Sequence, residues 1–116
     1  SYVPNAITDT DVDEYVRTYS QPGAMRAGFS YYREMPKDIE DNTENIKRLK
    51  LPMPVLAIGG GVSYPHGRGR GTQTEDSLRR VADNVKGEVF DNCGHFIPEE
   101  APQRLNKRLL SFFLEK

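Results

Sequence analysis

Val89-Phe90-Asp91-Asn92-Cys93-Gly94-His95-Phe96-Ile97-Pro98-Glu99-Glu100-Ala101-Pro102 is the stretch whose reading decides the fold. It enters as a short apolar strand, Glu88-Val89-Phe90, and leaves as the start of a helix. Pro98 and Pro102 sit near that start, with Glu99 and Glu100 in the first turn, where the helix dipole favours anions. The helix is expected to run to about Leu114, with Leu105, Leu109, Phe112 and Phe113 as its buried stripe. Between strand and helix lies Gly94-His95. A general base is well served by a loop at the C-terminal end of a parallel strand, where the crevice of such a sheet lies. A glycine just before it permits a tight, unusual backbone.

Upstream, Met53-Pro54-Val55-Leu56-Ala57-Ile58 is a short continuous apolar run between Pro52 and Gly59. That pattern predicts a parallel strand buried on both faces. A glycine-rich loop follows over 59–71, then a helix from about Thr72 to Asn84 with the stripe Leu78, Val81, Ala82 and Val85. The second half is therefore a βαβα unit whose crossover is long enough for parallel pairing. The first half reads as three helices. The first spans 8–20, capped by Thr8 or Asp9, with Val12, Tyr15, Val16 and Tyr19 on one stripe. Gln21-Pro22-Gly23 breaks it, a second helix runs from Pro22 to about Arg33, and Pro36 marks the boundary before a polar third helix ending near Leu49.

Two parallel strands cannot cover both faces and both edges of a strand such as Val55–Ile58. The last helix likewise offers two Phe and two Leu with little in this chain to pack against. The expectation is that these residues are part of a larger sheet.

Composition excludes several roles. The 116 residues carry 16 basic and 17 acidic side chains, a net charge of −1, so no large field of one sign attracts nucleic acid or an anionic membrane. No apolar run approaches the roughly 20 residues needed to span a bilayer. One cysteine, Cys93, rules out an internal disulfide framework and suits a reducing compartment, so a cytoplasmic location is favoured. The N-terminus has neither the basic start nor the apolar stretch of a signal peptide, and without an initiator Met a leader upstream of Ser1 is left open.

The segment 89–102 resembles the histidine loop of α/β-hydrolases: a strand ending in a small residue and Gly-His, then an aromatic, then acids and Pro opening the final helix. Tyr19-Ser20-Gln21-Pro22-Gly23-Ala24-Met25-Arg26-Ala27-Gly28-Phe29-Ser30-Tyr31-Tyr32-Arg33 is similar to the last cap-domain helices of the epoxide-hydrolase and haloalkane-dehalogenase branch. The resemblance implies an α/β fold, the C-terminal part of an α/β-hydrolase. Residues 1–50 would be the end of the helical cap and a return helix, and residues 51–116 the last βαβα of the parallel sheet. It implies His95 as the catalytic base, Tyr32 with Tyr31 as the cap hydroxyls that donate to the epoxide oxygen, and Phe96 beside the substrate. The implied substrate is a small epoxide, halide or ester, and the implied partner is an N-terminal half of the hydrolase or a second copy. Neither cofactor nor metal is implied.

Each of these residues also has a plainer reading. An isolated histidine is more often a surface or hydrogen-bonded loop residue, and the tyrosines read equally as core-facing aromatics.

The departures from the family pattern matter too. No G-x-D-x-G or G-x-S-x-G nucleophile elbow and no HG-P-like oxyanion segment occurs in these residues. Gly59-Gly60-Gly61-Val62-Ser63-Tyr64-Pro65, where many members carry the triad acid, has none, so that acid is expected upstream of Ser1; Glu75 and Asp76 read better as helix-start acids. The same three glycines fail the dinucleotide G-x-G-x-x-G spacing at Tyr64. Gly67-Arg68-Gly69-Arg70-Gly71 reads as a solvated loop rather than an anion site. Cys93 reads as a small packed residue rather than a thiol nucleophile. His66 and His95 without a cysteine cluster make no zinc site. Two alternatives stay open: a serine esterase of the same fold, and a non-catalytic module that self-associates to cover its sheet.

Overall fold

The computed structural model describes residues 1–115, which form two units: Thr8–Leu49, and Ser1–Ile7 together with the chain from Lys50 onward. The first unit is helical. Helix α1 spans Asp9–Tyr19 and starts in a capping box, the Asp11 N–H donating to Thr8 Oγ1 at 3.3 Å and the Thr8 N–H to Asp11 Oδ2 at 2.8 Å. Gly23, with φ 84°, then turns the chain into α2, Ala24–Ile46. The left-handed backbone there favours glycine.

Helix α2 overturns one expectation. Pro36 lies inside a single 23-residue helix, so the first half has two helices rather than three. Proline removes the bond that would run back to the Tyr32 carbonyl, four residues earlier. Residues 31–40 are all exposed, where a backbone acceptor left without a helical partner is open to solvent.

In the second unit β1 (Val55–Gly60) and β2 (Val85–Phe90) pair in parallel, with Val55 opposite Val85 and Gly60 opposite Phe90. The expected βαβα order holds, but its boundaries shift. Strand β1 starts two residues later than expected and runs through Gly59 and Gly60, because those glycines pair with Val89 and Phe90. Helix α3 is only Gln73–Leu78. Beyond it Ala82 meets Leu51 in an isolated parallel bridge, and Val85 belongs to β2 rather than to the helix. Pairing with the apolar strand overrides helix periodicity there.

The C-terminal helix is also two helices, α4 (Ile97–Glu100) and α5 (Pro102–Leu114). Ala101 lies between them at φ −143°, because the ring of the following proline clashes with helical backbone at the residue before it.

The core between α3 and the strands is small: Ala57, Ala82 and Val85, with Val55 and Leu78 packed against them. Leu56 and Ile58 are only half-buried, so the expected cover on both faces of β1 is incomplete within these residues. Helix α5 is tied to β2 by charged contacts. Glu88 binds Arg104 at 3.0 Å and Arg108 at 2.8 Å, and the Arg104 guanidinium lies 3.9 Å over the buried Phe90 ring. The stripe expected to be buried on α5 is half-buried at Leu105, Leu109 and Phe112, whereas Phe113 is 75% exposed. Among the described residues no helix is long and apolar enough to cross a membrane.

Candidate active site

The site is assembled where the two strands end. Gly61 N–H donates to the Phe90 carbonyl at 2.9 Å and Val62 N–H to the Cys93 carbonyl at 3.0 Å, so the loop after β1 runs on beside the loop after β2. The approach is close enough to dictate residue type. A Cβ on Gly60 would fall 1.8 Å from the Gly94 oxygen, and one on Gly59 would fall 2.0 Å from the Gly71 oxygen. The triple glycine that mimics a phosphate loop is therefore a seat for the histidine loop and for the 67–71 turn.

His95 follows at the C-terminal end of β2. Its N–H donates to the Gly67 carbonyl at 2.8 Å, while the imidazole is exposed and lines a cleft of about 190 Å³ with Ile58, Gly60, Arg70, Thr74 and Ile97. Phe96 stands edge-on to the imidazole, ring centroids 5.3 Å apart at 74°. The loop thus brings His95 and Phe96 together.

Tyr31 and Tyr32 belong to the helical unit. They are 79% and 71% exposed and line an open, mainly apolar groove of about 560 Å³ with Tyr19, Met25, Phe29 and Met35.

Two groups at the histidine loop escape sequence reasoning. Glu100 reads as a helix-start acid, yet it ends α4 and its carboxylate reaches back to accept from Gly94 N–H at 2.6 Å. Its spacing from the glycine, six residues, is the only trace in the sequence. Gly67, a backbone acceptor, leaves none. Cys93 is fully buried; burial, then the nearby Glu100 charge, pushes its thiol up, which keeps it protonated and unreactive. Among the described residues no group of three or more His, Cys, Asp or Glu is placed to hold a metal ion.

Comparison with known proteins agrees with this architecture. No family model matches the chain. It is 38% identical over 115 residues to the soluble epoxide hydrolase of Corynebacterium sp. (strain C12), covering 97% of this chain and 37% of that protein. The crystal structure of Cfl2 from Burkholderia cenocepacia superposes with a TM-score of 0.81 at 36% identity, over 97% of this chain and 36% of that one. The epoxide hydrolase CorEH, without ligand, superposes with a TM-score of 0.79 at 38% identity, over 97% of this chain and 37% of that one. The chain thus spans little more than a third of the length of each of these three proteins.

Proposed function

This chain is homologous to the C-terminal part of epoxide hydrolases and has the fold of that part of an α/β-hydrolase, and from that premise we propose that it carries the water-activating histidine of an epoxide hydrolase, His95. The observation that carries the reading is the position of the imidazole, exposed in a cleft on the loop directly after a parallel strand. A carboxylate nucleophile from outside these residues opens the ring. Its oxygen bonds to an epoxide carbon as the C–O bond breaks, leaving an ester and an alkoxide. A cap tyrosine hydroxyl, that of Tyr32 by position with Tyr31 as the second candidate, donates to that oxygen and stabilises its charge. His95 then takes a proton from water, whose oxygen adds to the ester carbonyl; as the ester C–O bond breaks, the departing oxygen takes the carboxyl proton, the carboxylate is restored, and the imidazolium proton passes to the alkoxide, which completes the diol. Phe96 packs edge-on against the ring and supplies an apolar wall.

The test is His95→Gln in the complete hydrolase. Turnover of an epoxide should fall on the order of 10²–10⁴-fold, while mass spectrometry should find an ester adduct accumulating on the protein. Tyr32→Phe should slow adduct formation instead. Undiminished turnover in the His95 variant would sink the proposal, and an acyl-serine adduct formed only with ester substrates would favour the esterase alternative.

A further inference from the structure

Glu100 closes the single turn α4, yet its carboxylate points back toward the beginning of that turn. Oε2 accepts from Gly94 N–H at 2.6 Å, and Oε1 accepts from Tyr2 N–H at 3.0 Å. Gly94 is buried, so water is a poor substitute for that acceptor. The next N–H, that of His95, is taken by the Gly67 carbonyl at 2.8 Å. Two successive amides are thus held by two separate acceptors, one of them charged and correspondingly strong.

We infer that Glu100 is a positioning residue for His95: its carboxylate fixes the Cys93–Gly94 peptide, while the Gly67 carbonyl holds the Gly94–His95 peptide that follows, and together they set the direction in which the imidazole leaves the loop. The inference rests on the reading of His95 as the base that activates water. Such a base must stand within about 2.6–3.2 Å of its proton, and a displacement of about 1 Å can cost about 10²-fold in rate. The charge state suits the role. Burial opposes ionisation of Glu100, but the N–H groups of Gly94 and Tyr2 outweigh it and hold the carboxyl below its ordinary range. The clamp is therefore fully charged at neutral pH.

The test compares wild type, Glu100→Gln and Glu100→Ala in the complete hydrolase, labelled with ¹⁵N-glycine. The Gly94 amide resonance should titrate with the carboxylate below about pH 4.5 and should stop titrating in Glu100→Gln. Hydrolysis of the ester intermediate should slow on the order of 10- to 100-fold in Glu100→Ala, recover in part in Glu100→Gln, and leave ester formation within about twofold. A merely structural role would depress both steps together. Should the alanine variant fail to fold, the glutamine variant carries both readouts. A Gly94 amide indifferent to Glu100, or intermediate hydrolysis at the wild-type rate in a folded variant, overturns the inference. If His95→Gln leaves that hydrolysis intact, the reading of His95 is at fault, and the Gly94 titration still decides the clamp.

Discussion

The N–H of His95 donates to the carbonyl oxygen of Gly67 at 2.8 Å, and the neighbouring Gly94 packs so closely that a Cβ there would fall 2.6 Å from the same oxygen. The histidine loop is thus held by backbone against backbone. Its position depends on several residues having no side chain at all.

Gly60→Ala should therefore be damaging. Its methyl would lie 1.8 Å from the Gly94 oxygen, a backbone atom that moves only by carrying His95 with it. The expected loss is about 1–3 kcal/mol, read from urea unfolding. Gly87→Ala is the control. Its methyl would meet the carboxylate end of Glu75 at 1.7 Å, and that flexible side chain can swing aside, so the loss should be well under that of Gly60→Ala.

Acid should weaken both units through depressed carboxylates. The Thr8 hydroxyl, and then the Thr8 N–H, hold the Asp11 carboxyl low; Glu100 is held low against burial by the N–H groups of its clamp. A carboxyl with a lowered folded-state pKa stabilises fully above its unfolded value, about 4, and loses that contribution as pH falls through the folded value. The urea midpoint should be flat from pH 7 to about 5 and fall below it. Glu100→Gln should flatten part of that fall. An unchanged profile in this variant would refute the linkage.

Thr8→Ala removes the cap of α1 from both directions, since Asp11 N–H loses its acceptor and Asp11 loses the hydroxyl. A loss of about 1 kcal/mol is expected in thermal or urea unfolding followed by circular dichroism.

Pro36→Ala should act in the opposite sense. Pro36 lies within α2 at exposed positions, where it removes a helical hydrogen bond without burying anything in return. Alanine restores the donor, so ellipticity at 222 nm and the Tm of the helical unit should both rise. A fall would mean that the proline bends α2 into contacts its straight form loses.

Leu110, Phe113 and Leu114 are 63%, 75% and 77% exposed along α5. An apolar patch of this kind drives association when nothing covers it. These 116 residues expressed by themselves should bind an apolar fluorescent dye and sediment above monomer mass, and Leu110→Gln with Phe113→Ser should reduce both. A dye-silent monomer before substitution would contradict this.

Local patterns made much of this protein legible in its residues alone. The apolar run at Val55–Ile58, the parallel βαβα order, the capped start of α1 and the Gly-His loop all follow from periodicity, capping chemistry and spacing, which depend on neighbours a few residues away. The likeness to epoxide hydrolases was carried by the same short stretches. Only the tertiary structure decided that Gly59 and Gly60 are strand residues, that Val85 leaves the helix for the sheet, and that Glu100 clamps the loop from behind. The first two depend on which backbone segment lies within about 3 Å of another after the chain has crossed over, and the third on how the α4 turn folds back on the loop before it. The hydrogen bond from His95 to Gly67 joins backbone groups whose meeting is set by the strand pairing and not by their own residue types, whereas that from Gly94 to Glu100 is local and depends on how the α4 turn carries the carboxylate back to the loop.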